Sequence, residues 1–225
     1  MRAPWVIPLQ HHNALSKQMP CIKVTTGKHE ITLAGWMDEN ISTSLSATHP
    51  EPGVDLVHVH IWSEIPPPPM RLSLVQPLVG IHGFWRTEGD HTGLLATGCE
   101  PSTIKATSQA PVCCLYSFSG ENRLTLAFSD ALQTMTMRAD VHEETATLHC
   151  EVGLFVEPTP APGQYEATLH IDTRAIPYYE SLNHVQQWWA AQPGYQPAFV
   201  PEAARWPMYS TWQNSGYAGS CGACP

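Results

Sequence analysis

A chain of 225 residues carrying a net charge of −9 and only 11 Lys and Arg argues against a nucleic-acid reader, because phosphate binding needs clustered cations. Charged residues make up 14% and proline occupies 21 positions. The first figure is low against a usual share of about 25%, and the second leaves little room for long helices.

No stretch approaches the roughly 20 apolar residues of a membrane span. The start, Met1-Arg2-Ala3-Pro4-Trp5, lacks the apolar run of a signal peptide. The seven cysteines, at 21, 99, 113, 114, 150, 221 and 224, are odd in number and scattered, which reads as free thiols in a reducing cytoplasm rather than a disulfide framework. A cytoplasmic protein with no nucleic-acid partner, no membrane partner and no cofactor is expected.

Strand patterns dominate the chain. Val54 to Trp62 sets Val57, Val59 and Ile61 on one face and His58, His60 and Trp62 on the other. Four prolines, Pro66 to Pro69, predict a polyproline II segment at the surface. Arg123 to Phe128 groups Leu124, Leu126 and Phe128, and Ser119-Gly120-Glu121-Asn122 before it reads as a hairpin connection. Leu148, Cys150, Val152, Leu154 and Val156 alternate with His149 and Glu151. Tyr165, Ala167, Leu169 and Ile171 repeat the pattern, with Glu166, Thr168 and His170 expected to face out. The loop Pro158 to Gly163 separates these last two runs and cannot join a sheet interior. Half-buried strands with such turns predict an antiparallel β-sandwich.

One helix is predicted, from about Tyr178 to Ala191, with Tyr178, Leu182, Val185 and Trp189 on one stripe. Pro177 suits its first turn and Pro193-Gly194 its end. Pro197 to Pro201 reads as an extended linker, and Glu202 to Arg205 as a short helical approach to a final strand, Met208 to Trp212. The tail from Gln213 to Pro225 has no periodicity and is expected to be mobile.

Few constellations offer chemistry. His58 and His60 share a strand face, with Glu64, His82 and His91 as possible further metal ligands; ordinary polar positions on a sheet face are the favoured reading. Glu143-Glu144 cannot flank one glycosidic bond if both stand in a strand, since neighbours point to opposite faces, and a solvated strand entry is expected. Asp130 is read as a turn residue. Cys221-Gly-Ala-Cys224 lacks a second ligand pair for zinc. Phosphate-loop, nucleophile-elbow and metalloprotease motifs are not found. Eight tryptophans remain, among them Trp62, Trp85, Trp188, Trp189, Trp206 and Trp212. Their faces suit the C–H faces of sugars, though core or interface packing is the usual role.

Several phrases carry a resemblance. They are Ala110-Pro111-Val112, Glu121 to Ala131, Glu143-Glu144-Thr145, Leu154 to Pro158, Tyr178-Tyr179-Glu180 and Val200 to Trp212. Over roughly residues 54 to 212 the chain resembles the amino-terminal region of family 36 glycoside hydrolases, the α-galactosidase and raffinose-synthase-like group of clan D. The resemblance implies a large, supersandwich-like β-sandwich (1–175), a helical linker (176–206), and the first strand of a (β/α)₈ barrel followed by a disordered tail (207–225). It implies a retaining α-galactosidase acting on oligosaccharides or galactosides in carbohydrate metabolism.

Trp212 would stand at the carboxyl end of the first barrel strand, where such barrels bind substrate, and would line the sugar subsite. After Trp212 the residues Gln213 to Ser220 depart from the family pattern, so the barrel is expected to be truncated. Both catalytic aspartates belong to later strands, no catalytic residue is carried over, and this chain alone is expected to be inactive. A stand-alone carbohydrate-binding module and a purely structural sandwich supporting a homo-oligomer are the alternatives.

Overall fold

The computed structural model describes residues 21–35, 39–87, 89–92, 102–104, 109–195 and 198–206. It is mainly β. The strands are β1 (Cys21–Thr26), β2 (His29–Gly35), β3 (Ile41–Glu51), β4 (Val54–Ser63), β5 (Met70–Pro77), β6 (Gly83–Arg86) and β7 (Gly89–Thr92). Then follow β8 (Ser102–Ile104), β9 (Val112–Tyr116), β10 (Asn122–Phe128), β11 (Met135–His142), β12 (Thr147–Leu154) and β13 (Gly163–Asp172). Among the described residues one α-helix, α1, spans Tyr178–Ala190.

Two sheets result, ordered β1-β2-β5-β12-β11-β8 and β3-β4-β13-β10-β9-β6-β7, and the pairings are antiparallel. Ile31, Leu33, Leu72 and Leu148 from the six-stranded sheet share one core with Val57, Val59, Leu126 and Phe128 from the seven-stranded sheet. These are the inward positions of period-2 strands, and their burial supplies the hydrophobic term that holds the layers together. The arrangement is consistent with a β-sandwich.

Strands β4 and β12 follow their expected alternation, whereas β10 is buried on both faces from Leu124 to Phe128. Val57, Val59 and Ile61 are buried while His60 and Trp62 are exposed. Leu148, Cys150, Val152 and Leu154 are buried. The strand ends at Leu154, so Val156 falls beyond it. Four prolines carry the chain from β4 in one sheet to β5 in the other, and Pro67 among them is buried rather than at the surface.

Two further readings need correction. Glu143-Glu144 does not enter a strand: Glu143–Thr145 is a 3₁₀ turn between β11 and β12, closed by Ala146 at φ 50°. Both glutamates are exposed there, as a solvated turn requires. His170 does not face out. It is 4% exposed, because α1 covers the outer face of the seven-stranded sheet and sets Trp188 tilted against the His170 ring, 5.0 Å between centroids. Thr125 and Ala127, on the same outer face of β10, are fully buried.

The helix docks by its expected stripe. Val185 packs with Val112 and Ala127 from the sheet, flanked by Leu182, Trp188 and Trp189, and the Trp189 indole N–H donates to the Phe128 carbonyl at 3.1 Å. The chain divides into a compact unit ending at Trp189 and a second from Ala190 onward. In the second, Gly194 (φ 87°) follows the helix end, and Glu202–Arg205 forms a 3₁₀ turn. Phe199 and Trp206 are exposed. The expected strand Met208 to Trp212, the Cys221–Cys224 pair and the tail lie outside the described residues.

Gly83 is where the hairpin end and the helix start meet. A Cβ at Gly83 would lie 2.2 Å from the Tyr116 ring, and Tyr116 stacks on Tyr178 at 4.6 Å. Gly83→Ala should therefore destabilise by about 1–3 kcal/mol through overpacking. Thermal unfolding checks this, and an unchanged melting temperature would refute it.

Candidate functional site

Four structural sites on the surface and at the helix junction can be built from the residues upward. The first is the junction between sheet and helix. Asp172 ends β13 fully buried, two residues before Arg174. Its carboxylate accepts from the Arg174 backbone N–H (2.9 Å), Nε (3.0 Å) and Nη2 (2.6 Å). Ser181 Oγ, in the first turns of α1, donates to the same carboxylate at 2.7 Å and lies 2.9 Å from Thr125 Oγ1. Asn122 Nδ2 donates to the carbonyls of Asp172 and Arg174, both at 3.1 Å, while Thr125 donates to Asn122 Oδ1 at 3.0 Å. Burial pushes the Asp172 carboxyl up, but the Arg174 and Ser181 hydrogen bonds outweigh it and the net shift is downward. Asp172 is ionised and fully coordinated, so it clamps the helix rather than exchanging protons.

The second is a cleft of about 390 Å³ between α1 and the sheet, with Trp85, Val112, Tyr179, Leu182, Gln186 and Trp189 in its lining. The third is the uncovered part of the same sheet face. There Trp62 is 45% exposed, between Ser42 of β3 and Gln164 of β13. One register row along, His60 stands between Ser44 and Glu166, with Nδ1 3.4 Å from the Glu166 carboxylate. An exposed indole ringed by hydrogen-bonding side chains is a suitable surface for a sugar ring.

The fourth is a cleft of about 300 Å³ on the outer face of the six-stranded sheet, holding Arg71, Arg138, Glu151 and Thr136. Neither described cleft is lined by two carboxylates, so neither has the acid pair that glycoside hydrolysis uses.

The histidines expected as possible ligands are engaged elsewhere. His58 Nε2 meets Thr48 Oγ1 at 3.0 Å and its Nδ1 meets Thr168 Oγ1 at 3.2 Å. His82 packs edge-on to Phe118, 5.0 Å between centroids. Among the described residues no three His, Cys, Asp or Glu are grouped to hold a metal. Asp130 is the expected turn residue: its Oδ1 accepts from the backbone N–H of Leu132 (2.9 Å) and Gln133 (3.1 Å), and its Oδ2 from the Tyr165 hydroxyl (3.0 Å). Cys113, Cys114 and Cys150 are buried and Cys21 is exposed, all four outside any disulfide. Trp212 lies outside the described residues.

Sequence reasoning missed the Asp172–Arg174–Ser181 clamp and the arginine cleft. The only signal for the clamp was a carboxylate at the end of an apolar strand; the cleft needed the strand register. No family model matches the chain, and no curated protein matches it. Among the described residues no helix is long and apolar enough to cross a membrane.

Proposed function

We propose that this chain contributes the non-catalytic β-sandwich of an α-galactosidase-like glycoside hydrolase of the family 36 type, working on α-galactosides in the cytoplasm. One observation carries the reading. Three of the family-like phrases, two of them on neighbouring strands and the third well downstream, meet in one structural unit. The phrase Glu121 to Ala131 supplies Asn122 and β10, Ala110-Pro111-Val112 supplies the strand beside it, and Tyr178-Tyr179-Glu180 starts the helix. Asn122 N–H donates to Ile176 O at 2.7 Å, and Tyr178 N–H donates to Gly120 O at 3.0 Å. A β-sandwich followed by a helical linker is the layout that the resemblance implies ahead of a barrel. The exposed Phe199 and Trp206 suit a segment that a further domain covers. Buried cysteines outside any disulfide suit a reducing compartment.

The role in the enzyme is to carry and cover the barrel, whose first strand is Pro207 to Trp212, with Trp212 at the sugar subsite. Incubation of this chain with a nitrophenyl α-galactoside should release no nitrophenol above the protein-free rate. Saturable release that disappears when one carboxylate is neutralised would overturn the reading.

The exposure of Trp62 beside His60, Gln164 and Glu166 favours a second reading, a carbohydrate-binding module. Melibiose or raffinose should then change tryptophan fluorescence with a dissociation constant on the order of 1 mM, and Trp62→Ala should abolish the change. A response retained in Trp62→Ala, or none in the wild type, would rule this reading out.

A further inference from the structure

The cleft on the six-stranded sheet has a charge arrangement that the proposed function does not use. Its register places Thr136, Gly153, Arg71 and Ala34 in one row across β11, β12, β5 and β2. The next row begins with Arg138 and Glu151. Glu151 is shared: its Oε1 accepts from Arg71 Nη1 at 3.2 Å, and its Oε2 accepts from Arg138 Nε. Asp140 also meets Arg138, at 3.3 Å from Nε, but it stands opposite His149, one row further from Gly153, and does not line the cleft.

Two guanidiniums therefore share one carboxylate inside the cleft. Both oxygens of Glu151 are already occupied, and N–H donors remain on both arginines, whose side chains are 55% and 33% exposed. The lining holds two guanidiniums and one carboxylate, with Asp140 just outside it against Arg138. Glycine at 153 lets the Thr136 side chain lie across the strand. A Cβ at Gly153 would lie 2.3 Å from Thr136 Oγ1, and one at Gly35 would lie 2.8 Å from Met70 Cγ. The volume, about 300 Å³, is that of a small-ligand site.

From the unused donors of two guanidiniums that share Glu151 in a cleft of this size, we infer that this cleft binds a small molecule through an oxyanion group, a carboxylate or a phosphate, held by Arg71 and Arg138. A guanidinium presents paired donors that match such a group. Thr136 adds a hydroxyl to the same lining. The inference stands on this geometry and not on the glycosidase reading.

Amide NMR on the full chain tests it, with galacturonate, inorganic phosphate and neutral galactose as separate titrants. Galacturonate, phosphate or both should shift the Gly35 and Gly153 amides, with a dissociation constant on the order of 1 mM. Which of them does so identifies the group. Galactose should leave both amides in place, and added salt should weaken the response. Arg71→Gln removes a half-exposed side chain, keeps the fold dispersion of the spectrum, and should weaken binding at least about tenfold. Equal shifts with galactose, no shift with either anion, or an Arg71→Gln protein that binds as the wild type does would each overturn the inference. None of these outcomes bears on α-galactoside hydrolysis, which reads the other proposal.

Discussion

Asp172→Ala should lower the unfolding free energy by about 3–5 kcal/mol, the cost of leaving a buried partner uncompensated. Asp172 is fully buried and takes four donors, three from Arg174 and one from Ser181. Its removal leaves the Arg174 guanidinium, 15% exposed, with Glu51 at 3.1 Å as its remaining carboxylate. That pair is half-exposed on the Glu51 side and offsets little, though it places the loss toward the lower end of the range. Ser181 also loses its carboxylate acceptor beneath the helix. Urea unfolding followed by far-ultraviolet circular dichroism and by tryptophan fluorescence checks the value. A fall below about 1 kcal/mol would mean that the helix is held by its apolar stripe alone.

The second large effect is one of pH. Burial beneath α1 is the main cause that lowers the His170 pKa from 6.5 to about 4; Asp172 and Glu51 pull it up, and Arg174 pushes it down. The folded state thus holds His170 neutral while the unfolded chain protonates it. Stability from this group is full above the unfolded value of 6.5 and falls as pH drops from there toward 4. Near pH 4 the loss reaches about 3 kcal/mol, taking 1.36 kcal/mol per pKa unit. Asp172 acts in a separate window. Its folded pKa lies below the ordinary carboxylate value of 3.8, so its contribution is present above that value and is lost only as pH falls further. Unfolding curves at pH 7.5 and pH 4.5 should converge in His170→Gln relative to the wild type. An equal pH dependence in both proteins would refute the assignment.

The same residue shows where the sequence stops being readable. Alternation along β13 correctly separates Ala167, Leu169 and Ile171 from Glu166 and Thr168, but it assigns one face to water throughout. The helix that covers His170, Thr125 and Ala127 is itself legible from its stripe of Leu182, Val185 and Trp189. Which strand face it lands on is not, because nothing in a period of two or 3.6 names the partner. The clamp was hidden for a related reason. Asp172 and Ser181 are nine residues apart, and their contact exists only after the chain turns from β13 into α1. Turn chemistry read well: Asp130 caps its loop, and Ser119 to Asn122 joins β9 to β10. Glu143-Glu144 read poorly because two acidic residues between apolar runs fit a strand entry and a 3₁₀ turn equally. Arg71, Arg138 and Glu151 belong to three strands, and only the pairing of β5, β12 and β11 brings them to one cleft.

The central claim is that this sandwich carries a barrel of the α-galactosidase type. A chimaera tests it most directly: residues 1–206 placed ahead of the barrel of a family 36 α-galactosidase, replacing that enzyme's own front domain. The chimaera should be soluble and hydrolyse a nitrophenyl α-galactoside, whereas the barrel with no front domain should aggregate or stay inactive. A chimaera no more soluble and no more active than the bare barrel would contradict the claim.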